Sequence, residues 1–130
     1  MINQKIFKAY DIRGVYPSEV NEEAALAVAQ GLAKYWKKGK VVLGHDARLS
    51  SPSLYNVLRK VFGADKNFQI EEVGLMTTPM LYFLKNKLKA VGGIMVTASH
   101  NPKQYNGMKV VGKKGVMNGK EIQGLITNDK

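Results

Sequence analysis

Apolar residues recur along this chain in two alternating rhythms, short unbroken runs and stripes at helical spacing, separated by polar loops. Phe7 to Tyr10 reads as a first strand that ends in the turn-like Asp11-Ile12-Arg13-Gly14. Asn21 then caps a helix with Glu22 and Glu23 in its first turn, where the helix dipole favours negative charge. Ala25, Val28, Leu32, Tyr35 and Trp36 form its apolar face, and Gly39 suits its C-terminal cap. Val41-Val42-Leu43 reads as a buried strand running into the loop Gly44-His45-Asp46-Ala47-Arg48.

A second helix starts at Ser51-Pro52, a cap followed by a proline in the first turn. Leu54, Val57, Leu58, Val61 and Phe62 make its stripe, and Gly63 ends it. A strand over about 69–73 precedes a third helix opened by Thr78-Pro79, with Leu81, Leu84 and Leu88 inward. Ile94 to Thr97 and Met108 to Val111 supply two more strands, and a last helical pattern covers 119–126. With no repeat, low-complexity tract or linker, the pattern predicts a single α/β domain over residues 1–130, built in three layers.

Composition narrows the setting. The chain has 130 residues, 45% of them hydrophobic, enough to bury a real core. It has no cysteine, which removes disulfides and thiolate metal sites and suits a reducing cytoplasm. Met1-Ile2-Asn3-Gln4-Lys5 lacks the apolar core of a signal peptide, and no run approaches membrane-spanning length. A cytoplasmic protein without a membrane partner is expected.

Charge changes the picture more. Twenty basic and ten acidic residues leave a net charge of +10, a field that favours anionic partners. No Asp or Glu lies between Val73 and Lys120, while Lys85, Lys87, Lys89, Lys103, Lys109, Lys113, Lys114 and Lys120 all do. Most of these lysines read as a solvated surface.

Inside that zone lies Gly92-Gly93-Ile94-Met95-Val96-Thr97-Ala98-Ser99-His100-Asn101-Pro102, followed by Tyr105-Asn106-Gly107-Met108-Lys109. An apolar run delivers a serine onto a polar loop, Pro102 stops regular structure, and a lysine returns on the next apolar run. A serine hydroxyl is a poor nucleophile without a base or a strong field. His100 is the sequence neighbour of Ser99, and neighbours in extended chain point to opposite sides, so a Ser–His dyad is not supported. There is no Gly-x-Ser-x-Gly elbow either, which argues against acyl transfer.

Thr97-Ala98-Ser99-His100-Asn101-Pro102 with Tyr105-Asn106-Gly107-x-Lys109 resembles the active-site loop of the α-D-phosphohexomutases, the group of phosphomannomutases and phosphoglucomutases. Phe7-Lys8-Ala9-Tyr10-Asp11-Ile12-Arg13-Gly14 and Gly44-His45-Asp46-Ala47-Arg48-Leu49-Ser50-Ser51-Pro52 fit the same family in the same order. The resemblance covers about 6–111 and implies the family's first domain, a three-layer α/β/α unit with a mixed sheet. It further implies that Ser99 carries a phosphoryl group, donates it to a hexose phosphate and recovers the other phosphate from a sugar 1,6-bisphosphate. The net reaction interconverts 1-phospho and 6-phospho sugars, mannose or glucose.

The resemblance also assigns roles. Lys109 matches a general acid/base and phosphate contact, and Arg13 an arginine beside the phosphoserine. His100 and Asn101 would shape the loop and bond phosphate oxygens, and Asn106 would add a donor. Arg13 and Arg48, two of only three arginines, fall in predicted loops where a guanidinium fork suits phosphate; Arg59 reads as a surface residue. Tyr10 matches a tyrosine near the substrate, though its pattern alone equally suits a core aromatic. His45 departs from the tyrosine or arginine of the family and reads as structural; Asp46 would pair with Arg48 or brace the loop.

Absences limit the claim. The family holds Mg²⁺ with the phosphoserine, here Ser99 through its phosphate, and with an Asp-Gly-Asp-x-Asp-Arg segment that this sequence lacks. The sugar-recognition and C-terminal phosphate loops are also missing, so the partners implied are hexose phosphates and the family's remaining three domains. The isolated chain is expected to lack appreciable mutase activity. Two other classes stay open: a non-catalytic phosphate- or phosphosugar-binding module, and a basic nucleic-acid-binding domain, for which no recognised motif speaks.

Overall fold

The computed structural model describes residues 2–127. A 3-10 turn at Gln4–Ile6 leads through a loop into β1 (Ile12–Val15), followed by α1 (Glu22–Trp36), β2 (Gly39–His45) and α2 (Ser51–Ala64). Then come β3 (Phe68–Leu75), α3 (Thr78–Lys87), β4 (Gly92–Val96), β5 (Tyr105–Gly112), the short β6 (Gly115–Val116) and α4 (Gly119–Thr127). The strands form one mixed sheet in the order β1-β5-β4-β2-β3, with β6 paired to β5. β2 runs parallel to β3 and β4, whereas β5 is antiparallel to β1, β4 and β6.

Period-two alternation splits the apolar residues of the central strands between two cores. Val41, Leu43, Ile94, Val96, Met108 and Val110 face α1, α2 and α4, where they meet Leu32, Leu54, Leu58, Phe62 and Ile122. Val42, Met95 and Val111 face the other way, against Leu81 of α3 and Met76. Three layers result, with β4 buried along its whole length. Leu84 and Leu88 pack on the α3 core as expected, partly buried, while Tyr35 turns out to solvent.

The first strand lies elsewhere than the sequence suggests. Lys8, Ala9 and Tyr10 are exposed in a tight loop, closed by a bridge between Phe7 and Ile12 and by the Lys8 amide donating to the Asp11 carbonyl at 2.8 Å. The strand is Ile12–Val15, because Ile6 and Ile12 are the residues buried in the main core there. Tyr10, 72% exposed, is no core aromatic.

Element ends shift by smaller amounts. Asn21 caps α1 as read, its side chain accepting from the Ala24 amide at 2.9 Å. The left-handed residue after α1 is Lys37, φ 72°, and Gly39 instead opens β2. Ser50 and Thr77, one residue earlier than expected, flank α2 and α3, and α2 continues past Gly63 to Ala64.

Two contacts fix the sheet from opposite ends. Trp36, the lone tryptophan, lies over Gly92 at the start of β4, where a Cβ would stand 2.1 Å from its ring. At the other end Gly107 lets β5 approach β1 so closely that a Cβ would stand 1.8 Å from the Ile12 carbonyl oxygen. Gly107→Ala should therefore lower unfolding stability by about 3 kcal/mol or more, because rigid backbone must move. Gly124→Ala, with open space around it in α4, should be neutral or raise stability by up to about 1 kcal/mol. Urea unfolding of both variants checks the contrast.

Candidate active site

β2 and β4 are parallel neighbours, so their C-terminal ends open side by side, as ligand sites do in α/β sheets. β2 delivers His45 and Asp46; β4 delivers Thr97, Ala98 and then Ser99. The Asp46 amide donates to the Val96 carbonyl at 2.9 Å and joins the two exits.

The Asp46 carboxylate gathers four donors. Oδ1 accepts from the Ser51 hydroxyl at 2.6 Å and the Arg48 amide at 3.2 Å. Oδ2 accepts from the Thr97 hydroxyl at 2.8 Å and Arg48 Nε at 3.1 Å. Burial pushes the Asp46 pKa up, but the hydroxyls of Ser51 and Thr97, the Arg48 amide and the Arg48 charge together hold it below the ordinary aspartate value. Asp46 thus both pairs with Arg48 and braces the loop. His45 is structural: its Nδ1 sits 2.7 Å from the Asp46 carbonyl, and its ring packs on Tyr55.

Ser99 stands exposed at the top of this frame with φ 55°, a left-handed conformation that L-residues other than asparagine and aspartate seldom take. Its amide donates to Thr97 Oγ1 at 3.0 Å. The hydroxyl makes no hydrogen bond among the described residues, so no general base addresses it. His100 is exposed beside it and approaches no partner there.

The cations arrive from the other edge of the sheet. Arg13 on β1 pairs with Gly107 on β5, and Lys109 lies two residues further along β5. By strand alternation both leave the face opposite Ile12 and Met108, the side that α3 covers. Between them is Asp11, only 2% exposed, accepting from Arg13 Nε at 3.1 Å and lying 3.9 Å from Lys109 Nζ. Arg13 Nη1 also donates to Asn101 Oδ1 at 2.6 Å, which ties β1 to the serine loop. A groove of about 460 Å³ beside them is lined by Lys5, Lys8, Tyr10, Arg13, Asn101 and Tyr105.

Two residues expected on phosphate are engaged inside the protein. Asn106 is fully buried; Nδ2 donates to the hydroxyls of Ser50 and Ser51, and Oδ1 accepts from the Gly107 amide. It seats β5 on the start of α2 and cannot reach a ligand. Arg48 is likewise turned inward, onto carbonyls of the loop. Arg59 is a surface residue, paired with Glu72 and Asn56.

Asp11 and Thr97 are the functional neighbours that sequence reasoning passed over. Asp11 could have been found from its i, i+2 spacing to Arg13, which puts both on one side of extended chain; Thr97 had no comparable signal. Among the described residues no three His, Asp or Glu converge as metal ligands. The Asp11 carboxylate is already engaged by Arg13 and Lys109, and that of Asp46 by Arg48, Ser51 and Thr97. The described residues do not fit a Mg²⁺ site.

The site is thus an exposed serine at the exit of β4 in a mixed-sheet α/β/α layer, with a cation on β5 and another on β1. The family model described as phosphoglucomutase/phosphomannomutase, alpha/beta/alpha domain I, matches residues 4–129. The chain belongs to this family, matches its domain I and spans about a quarter of the length of the curated relatives it matches. It is 50% identical over 105 residues to the phosphohexose mutases of Xanthomonas campestris pv. campestris (strain B100), covering 81% of this chain and 23% of the relative. A phosphoglucomutase of Neisseria meningitidis serogroup B is 40% identical over 129 residues, 97% of this chain and 28% of that protein. A crystal structure of a phosphoglucomutase/phosphomannomutase family protein from Burkholderia thailandensis superposes with TM-score 0.83 at 34% identity, over 98% of this chain and 30% of that one. No helix among the described residues is long and apolar enough to cross a membrane.

The four bonds on Asp46 carry a pH signature. Its pKa is lower folded than unfolded, so its contribution is fully present above about pH 4 and is lost as pH falls through the folded-state value. Asp46→Asn should cost about 2 kcal/mol of stability near neutral pH, since charge-assisted bonds are replaced by neutral ones. The gap to wild type should shrink as pH drops below about 4, where the wild-type carboxyl protonates as well. Denaturant unfolding of both proteins across that range measures it.

Proposed function

We propose that Ser99 is the phosphoryl carrier of a hexose phosphate mutase of which this chain is one part. The observation that carries the reading is the conformation of Ser99: a left-handed residue with both backbone groups bonded and its hydroxyl free, on a loop whose Asn101 is bonded by Arg13. The family membership and the names of the relatives support the reaction class.

Phosphoryl transfer asks for in-line positioning and charge neutralisation more than for a strong base. That suits a serine with no base at its hydroxyl. In the proposed step the bond between phosphorus and Ser99 Oγ breaks while a bond forms to a sugar hydroxyl oxygen. The sugar hydroxyl gives up its proton, and Ser99 Oγ recovers one when the reaction is complete. In this reading Lys109 moves that proton and meets a phosphate oxygen, with its ammonium 3.9 Å from Asp11 Oδ2. Arg13, oriented by Asp11 and Asn101, contributes fixed positive charge beside the phosphoserine. His100, exposed at the loop tip, and Tyr10 and Asn101, in the groove lining, would contact the sugar phosphate.

Mg²⁺ would supply charge neutralisation at the phosphoryl group in the complete enzyme. Among the described residues no cluster of His, Asp or Glu would hold it, and no step above is routed through it. The isolated chain, 28% of the length of the Neisseria relative, is therefore proposed to lack turnover by itself, with a sugar 1,6-bisphosphate as priming donor and the rest of the enzyme as obligatory partner. The proposed setting is the cytoplasm.

Incubated with glucose 1,6-bisphosphate, Mg²⁺ and a complementing remainder of a family enzyme, the chain should gain the mass of one phosphoryl group, mapped to Ser99 by fragmentation. Ser99→Gly should gain none, yet be more stable than wild type by about 1 kcal/mol because the left-handed strain is relieved. Phosphate found on another residue, or wild type left unmodified under conditions that phosphorylate a full-length relative, refutes the assignment.

A further inference from the structure

The guanidinium of Arg48 has five N–H donors, and each has an acceptor within the protein. Nε donates to Asp46 Oδ2 at 3.1 Å. Nη1 donates to the carbonyls of Pro102 at 2.7 Å and Tyr105 at 3.1 Å. Nη2 donates to the carbonyls of Ser99 at 2.9 Å and Asn101 at 2.8 Å. The side chain is 12% exposed. Four carbonyls of one loop, spread over seven residues of chain (99–105), thus converge on a single planar cation from a different strand exit.

We propose that Arg48 is a positioning residue: it folds the segment 99–105 around its guanidinium and so holds Ser99 in the conformation that presents the hydroxyl. It acts through the loop and has no donor left for a phosphate. Three features favour this over an ordinary surface ion pair. The Ser99 carbonyl is bound by Arg48 while the Ser99 amide is bound by Thr97, so both peptide groups that define φ 55° are anchored. Asp46 orients the fork through Nε and is itself fixed by Ser51 and Thr97, which gives Arg48 one rotamer. Within the segment the amides bond carbonyls only locally, three residues back: Asn101 to the Ala98 carbonyl at 3.1 Å and Tyr105 to that of Pro102 at 2.9 Å, so the Arg48 bonds are the ones that gather the segment as a whole. Without the cation the segment would keep these turns, the Ser99 amide on Thr97, the Tyr16 amide on the Gln104 carbonyl and Arg13 on Asn101, but four of its carbonyls would lose their Arg48 donor.

The geometry also demands arginine. Lysine carries the same charge as a compact point with three donors and cannot reach four carbonyls in one plane. Charge conservation should therefore fail to preserve the loop, whereas a free guanidinium ion could enter the space left by truncation.

Amide hydrogen exchange on the 130-residue chain, read residue by residue by NMR, tests this. In Arg48→Lys, and in Arg48→Ala, the amides of Ser99, Asn101 and Tyr105 should exchange at least about tenfold faster than in wild type, with the β2–β4 ladder changed much less. Guanidinium at low, non-denaturing concentration should restore protection in Arg48→Ala, and sodium ion at equal strength should not. Unchanged loop exchange in both variants, an equal loss across loop and sheet, or rescue by sodium as good as by guanidinium overturns the proposal. Should Arg48→Ala fail to fold, Arg48→Lys decides alone. The functional consequence rests on Ser99 being the phosphoryl acceptor, but exchange is read without any phosphoryl donor. A wild-type Ser99 that never takes phosphate would sink that reading while leaving this result intact; slowed uptake in Arg48→Lys, with loop exchange accelerated, joins the two.

Discussion

One carboxylate, that of Asp46, holds the rim of the sheet together. It receives a hydroxyl from the first turn of α2, a hydroxyl from the end of β4, and both an amide and the guanidinium of Arg48. Arg48 and Ser51 lie within five residues of Asp46, whereas Thr97 comes from the other strand exit, 51 residues along the chain. Burying such a charge is unfavourable unless every lone pair is answered, and here all are. The arrangement follows from parallel pairing of β2 and β4, which places two loop entrances side by side. Everything that presents Ser99 is built on that junction, first through Thr97 and then through the Arg48 fork.

The second half of the site has different origins. β1 and β5 are antiparallel to each other, and β5 to β4, so Arg13 and Lys109 come in across the sheet rather than at a loop. The stretch from Val73 to Lys120 has no acid of its own, which made the serine loop look like an unbroken positive surface. Topology corrects that impression: Asp46 enters from β2 and Asp11 from the approach to β1. Each carboxylate is matched to an arginine, and Asp11 also faces Lys109. On the groove side Arg13 is aimed by the buried Asp11, beside Lys5, Lys8 and one acid, Glu19.

Layers, helices and most strands were legible because amphipathic stripes such as Leu54, Val57, Leu58, Val61 and Phe62 repeat at helical spacing, and Val41-Val42-Leu43 can only be buried chain. The serine loop was legible through its motif. The first strand was not, since Phe7 to Tyr10 has strand-like composition but buries little; burial is decided by Ile6 and Ile12, which no local window can know. β6, two residues long, offered no period to detect. The roles of Arg48 and Asn106 were hidden for a related reason. Residue type says that a guanidinium or an amide can meet a phosphate, but only the register of β5 and the path of 99–105 show that protein groups claim those donors first.

The placement of Trp36 has a practical side. As the lone tryptophan it rests on Gly92, where β4 begins, within range of Phe62, while Ser99 follows the strand's far end. Its indole therefore sits in a dry environment that persists as long as the layers stay packed and is remote from anything that happens at the rim. The chain carries its own optical reporter of global integrity, spatially decoupled from its chemistry. Emission from Trp36 can certify that a loop variant is folded before any question is asked of its serine.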